Sequence, residues 1–169
     1  MSVSLYELSV PMFLHSLEAL ATVLTKAEAN AEERKIDPAV LLNSRLAPDM
    51  FALKNQVQLA SDHAKGATSR LAGRDIPRYE DNEQSFAELQ ARIAKTRDYL
   101  GTFKPEEFEG AEARQVVIKG RVRELTFTGL AYLRHFALPN FFFHTTTTYD
   151  ILRHNGVPLS KVEFLGGNR

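Results

Sequence analysis

The chain contains no cysteine. That single absence removes disulfides, thiolate zinc sites, iron–sulfur clusters and cysteine nucleophiles together. It also has no excess charge: 21 Lys plus Arg balance 21 Asp plus Glu, for a net charge of zero. A neutral chain has no general electrostatic grip on nucleic acid or on an anionic membrane. The cluster Arg70, Arg74 and Arg78 is too thin to supply one. No apolar run approaches the ~18 residues of a membrane span. The first residues, Met1 to Glu7, carry no basic stretch, and Glu7 and Glu18 interrupt any apolar segment. The expectation is a soluble, cytoplasmic protein with no nucleic-acid or membrane partner. Internal repeats, a phosphate loop, a dinucleotide fingerprint, an HExxH motif and a Ser-His-Asp order are all missing.

What is present is ordinary globular material. The 169 residues are 44% hydrophobic and 25% charged, with 9 Gly and 7 Pro. A chain of this length buries roughly 70% of its unfolded surface, so the expectation is one domain over residues 1–169.

Helical spacing dominates. Ser4 and Glu7 fit a capping box, and Pro11 predicts a kink or a restart near Ser9. Phe13, Leu17, Leu20, Leu24 and Ala27 then form one face of a helix running to about Asn30. Asp37 before Pro38 predicts an N-cap and a short helix to Asn43. A second long helix is expected from near Pro48, its stripe being Met50, Leu53, Val57, Ala60, Ala64, Ala67 and Leu71, with Gly73 as its end. Ser85 and Glu88 start a third, which buries Phe86, Leu89, Ile93 and Leu100. Segments 115–118 and 124–128 change to a period of two and read as a short β-hairpin. A hairpin alone is marginal, so this one must borrow a surface from the helices. The last long helix runs from about Pro139 to Asn155 after a helical lead-in from Gly129, and Gly156 stops it. Leu159, Val162, Phe164 and Leu165 predict a docked tail. The fold class is therefore mainly α: a four-helix bundle with a short hairpin before the last helix.

Two helix faces could carry chemistry. On the last helix, Asn140, His144, Thr148 and Ile151 fall along one line, which points His144 inward. Imidazole nitrogen binds zinc, nickel or iron, but a single inward histidine is equally served by a hydrogen bond to a neighbouring helix. On the second long helix, Asp49, Gln56 and His63 lie seven apart along one edge of the apolar stripe. They either line a pocket between the second and fourth helices or form the ordinary polar margin of an amphipathic helix. His15 is expected to face solvent, His135 to cap a helix or reach a pocket rim, and His154 to sit at a helix C-terminus, where a cation suits the dipole. Phe142 and Tyr149 form either a dimer patch or packing within the chain.

Three segments carry a resemblance: KIDPAVLLNSRLAPDM (35–50), ALPNFFFH (137–144) and YDILRHNGV (149–157). They resemble a bacterial family of unknown function within the DinB/YfiT-like superfamily. The resemblance implies an up-down-down-up bundle, often a homodimer. It also implies a divalent metal held by one histidine of the second helix and an HxxxH pair of the fourth, in proteins some of which are thiol-dependent transferases or isomerases. In this chain His144 takes the second position of that pair, Asn140 stands where the first histidine would be, and His63 is the second-helix candidate. Two readings follow. One is a metal-dependent hydrolase or transferase acting on a small molecule, with zinc, nickel or iron on His63 and His144. The other is a non-catalytic ligand-binding or stress-related dimer that has lost the metal.

Overall fold

The computed structural model describes residues 3–120 and 123–167. The expected domain of 1–169 extends at its ends, and at the hairpin turn, beyond the described residues. Four long helices carry the architecture: α1 (Val10–Glu33), α3 (Leu53–Ala72), α4 (Phe86–Leu100) and α6 (Leu138–His154). Short helices α2 (Pro38–Asn43), α5 (Gly129–Tyr132) and α7 (Lys161–Phe164) join or cap them. Strands β1 (Gln115–Lys119) and β2 (Glu124–Thr128) pair antiparallel, Val116 opposite Phe127.

Paired residues fix the helix directions. Gln90 reaches Thr25 and Arg97 reaches Glu18, so α1 and α4 are antiparallel. Arg92 meets Asp62 and Tyr99 meets Ser69, so α3 and α4 run parallel. Gln56 meets His144 while Arg70 meets Tyr132, so α6 runs antiparallel to α3. Phe13 packs on Phe141 and Arg34 reaches Asn155, which makes α1 and α6 parallel. The order is up-down-down-up.

Local signals explain most boundaries. The Ser4–Glu7 capping box forms, both bonds at 3.2 Å, but it closes a turn before α1 rather than its first turn. Helix α1 restarts at Val10 with Pro11 at its beginning, where a missing N–H costs nothing. Asp37 caps α2 by accepting from Ala39 N at 2.9 Å, and Ser85 caps α4 by accepting from Glu88 N at 3.2 Å. Gly73 ends α3 in the left-handed region at φ 74°.

Two boundaries correct the sequence reading. Helix α1 continues to Glu33 rather than Asn30. Helix α3 begins at Leu53 rather than near Pro48, because Ala52 is extended and Leu53 N donates to Ser44 O at 2.9 Å. Met50 and Asp49 therefore lie in a turn, Met50 half-buried and Asp49 exposed.

Helix α3 is the central element. Beyond its apolar stripe it buries Gln56, Gln58, Ser61, Lys65, Gly66, Thr68 and Ser69. Such small and hydrogen-bonded side chains let neighbours approach it from several sides. The hairpin borrows its surface as expected. Phe127 lies 6.2 Å from Tyr132 and 5.8 Å from Phe136 between ring centroids. The chain passes so close to α5 that a side chain at Gly129 would fall on the Ala111 carbonyl oxygen.

Helices α5 and α6 form one continuous rod interrupted by a π-helical segment, Leu133–Ala137. Pro139 accounts for the interruption. A proline has no N–H and collides with the carbonyl four residues back, and one wider turn relieves both. The tail docks through α7, whose Glu163 pairs with Lys26 of α1 at 2.5 Å. His15 is accordingly half-buried, its Nε2 donating to Leu165 O at 3.0 Å, and does not face solvent as expected. Among the described residues no helix is long and apolar enough to cross a membrane.

Parallel α3 and α4 require residues 73–85 to travel back along the bundle, and one buried arginine receives them. The Arg92 side chain is 2% exposed and reaches Glu83 at 2.9 Å, Asp62 at 2.9 Å and Asp81 at 3.0 Å. Removing Arg92 leaves the buried Glu83 carboxylate, 10% exposed, without its cation. Arg92→Met is expected to lower the unfolding free energy by about 3–5 kcal/mol in urea titrations; a loss under ~1 kcal/mol would show that the network does not hold the crossover.

Candidate functional site

Helices α3 and α6 lie antiparallel, so Gln56 and His63, two turns apart on α3, both face the middle of α6. His144 meets them there, 8% exposed. Its Nδ1 lies 2.7 Å from the Gln56 side-chain oxygen. The Gln56 amide nitrogen donates to Phe51 O at 3.0 Å, which leaves that oxygen as the group facing His144. An oxygen can only accept, so His144 carries its proton on Nδ1 and presents a bare Nε2.

His63 completes a pair. The two imidazole centroids are 5.3 Å apart and the ring planes differ by 19°. Burial, helped by His144 and then by Arg70 and Lys65, pushes His63 down to about 4, against the opposing pull of Asp62. Burial also lowers His144. Both rings are therefore neutral at neutral pH, the form that binds metal or accepts a proton. Phe136 of the π-helical segment stands 6.2 Å from His63, and Phe143 packs edge-on to His144 at 5.3 Å. Phe143 and Phe51 are the exposed apolar margin, 55% and 59% accessible.

The remaining expected residues divide. Asn140 is half-buried one turn before His144, its amide nitrogen donating to Phe136 O at 2.7 Å. Its carbonyl oxygen has no hydrogen bond among the described residues. Thr148 is fully buried and its hydroxyl donates to His144 O at 2.9 Å, so it supports α6 rather than lining an opening. Asp49 lies in the exposed turn before α3, so the spacing of seven that linked it to Gln56 and His63 does not survive as a helix edge. His135 and His154 are exposed. Phe142 and Tyr149 pack within the chain, against Phe141 and Phe164. Among the described residues no three of His, Cys, Asp and Glu cluster as metal ligands. The run Phe141–Phe143 requires at least one ring to face outward on a helix, and the outward ring is Phe143, while Phe142 is half-buried.

Comparison with known proteins identifies the family and the fold. The profile described as "Domain of unknown function (DUF1993)" matches residues 5–165. The chain belongs to the DUF1993 family. A DinB family member from Shewanella denitrificans, solved by crystallography, is 43% identical. The match covers 97% of this chain and 93% of that one, with a TM-score of 0.92. No curated protein matches. The DUF1993 chain is thus a DinB-like bundle, and its activity must be argued from the site.

The pair makes a pH prediction. Unfolded histidine titrates near 6.5 and folded His63 near 4. Below pH 6.5 the unfolded chain binds a proton that the folded chain refuses, so stability falls as pH drops. From pH 7 to pH 4 His63 is expected to cost the fold on the order of 3 kcal/mol. Urea titrations of His63→Phe should lack that component; an unchanged pH dependence would place the ring in water.

Proposed function

We propose that this DUF1993 protein is a metal-dependent enzyme, a hydrolase or transferase of small molecules, with His63 and His144 as its metal-binding pair. The observation that carries this reading is the His144 tautomer. Imidazole ligands of metals characteristically spend their other N–H on a fixed acceptor, and Gln56 provides one. The two imidazoles are neighbours, stacked with centroids 5.3 Å apart and planes 19° apart; to share one ion a ring would turn about its side-chain bonds so that both in-plane lone pairs meet. Asn140 supplies a third donor through its uncommitted carbonyl oxygen, in place of the histidine of the superfamily pattern.

A divalent ion bound there would acidify a water or a substrate thiol. The protein's own contribution is position. Gln56 and Phe51 hold the His144 ring, burial keeps His63 neutral, and Phe136 and Phe143 exclude water from its flanks. Homodimer formation and a cytoplasmic setting belong to the same proposal and rest on the resemblance to the DinB-like superfamily.

One observation favours the second reading, a bundle that binds a small molecule without metal: two imidazoles and an amide are a weak donor set beside three histidines. Titration of protein prepared without a histidine tag, with zinc, nickel or ferrous iron, separates the readings. Binding of one ion per chain is expected, lost in His63→Ala and His144→Ala. Gln56→Leu should weaken it about 10- to 100-fold. No binding of any of the three ions by the folded protein overturns the metal reading.

A further inference from the structure

On the flank of α6 away from His63, helices α1, α6 and α7 border a partly open pocket of about 250 Å³. Met12, Ala19 and Val23 of α1, Phe142 of α6 and Phe164 of α7 form its apolar walls. Its lining is mostly half-buried, so the pocket opens to solvent while presenting an apolar surface. That surface is not uniformly apolar. Ser16 and Tyr149 line it, and neither hydroxyl has a hydrogen-bond partner among the described residues. The chain therefore keeps an apolar chamber with two unspent polar handles.

Size and lining define the occupant. An apolar cavity of about 150 Å³ accepts benzene, so one of 250 Å³ accommodates about ten non-hydrogen atoms. No Asp, Glu, Lys or Arg lines it, and the His15 ring is engaged with Leu165 O. Helix α7 covers part of the opening, held by the Lys26–Glu163 pair and by that His15 bond. Gly156 precedes the tail and Gly166 and Gly167 follow α7, all in the left-handed region. The cover is thus a short helix tied at two points.

We propose that this cavity is a binding site for a neutral, largely apolar small molecule of about ten non-hydrogen atoms with one hydroxyl-like end, held beneath α7. It is a separate site from the imidazole pair and does not rest on metal binding. The test uses 1-octanol and n-propylbenzene as probes, followed by calorimetry and by the rise in unfolding temperature. The wild-type protein is expected to bind one equivalent of each saturably. Ala19→Leu, which fills the chamber, should weaken both at least about tenfold while the far-ultraviolet circular dichroism stays native. Tyr149→Phe should weaken 1-octanol several-fold and leave n-propylbenzene unchanged, which keeps the proposal testable if Ala19→Leu folds poorly. His63→Ala should bind both probes as wild type does. Absence of saturable binding, binding indifferent to both cavity variants, or loss in His63→Ala overturns the proposal.

Discussion

The arrangement of this bundle follows from two neighbouring helices running in the same direction. Antiparallel helices are joined by a short turn, but parallel α3 and α4 need a connection that returns along a helix about 30 Å long. Residues 73–85 do this along the α3–α4 seam, mostly exposed, with Glu83 buried against it. Arg92 anchors them. It donates to the Glu80 carbonyl at 3.0 Å and to Glu83 at 2.9 Å on the returning chain, and to Asp62 on α3 at 2.9 Å. Gln58 adds a bond to Glu83 at 2.7 Å. Tyr79 lies under the cations of Lys65 and Lys95, at 4.5 and 4.3 Å. A charged network thus fills the α3–α4 seam and leaves the opposite side of α3 for α6.

That division places the candidate site. Helix α6 meets the side of α3 that carries Gln56 and His63, at the depth where burial makes neutral imidazole the stable form. Below them the π-helical turn brings Phe136 to His63, and Phe136 packs on Tyr132 and Phe127 in turn. The hairpin is therefore tied through three aromatic rings to the floor of the histidine pair. Its contribution to function is support, since neither strand supplies a residue to the pair.

Features written in neighbouring residues were legible in the sequence. The caps at Asp37 and Ser85, the stop at Gly73 and the alternation of the hairpin each depend on a few adjacent side chains, and each stands as read. So does the inward direction of His144, because a helical wheel needs only the period. Features set by distant residues were not legible. The start of α3 looked continuous from Pro48, since Met50 keeps the period; the bond from Leu53 to Ser44 decides otherwise. The partners of Arg92 lie on α3 and on the connecting chain, so its burial left no local trace. His15 read as solvent-facing because the tail that covers it is 150 residues away. Gln56 and His144, 88 residues apart, were each singled out, but their pairing and the tautomer it imposes belong to the packing of α3 on α6.

The central claim is that Gln56 holds His144 with its proton on Nδ1 and its Nε2 bare, beside the stacked ring of His63. The most direct measurement is the imidazole nitrogen NMR spectrum of the protein at neutral pH, with His144 assigned through His144→Gln. The account predicts a neutral His144 protonated on Nδ1 alone, with the Nε2 resonance shifting when zinc is added. A His144 protonated on Nε2, or carrying both protons at neutral pH, would contradict it.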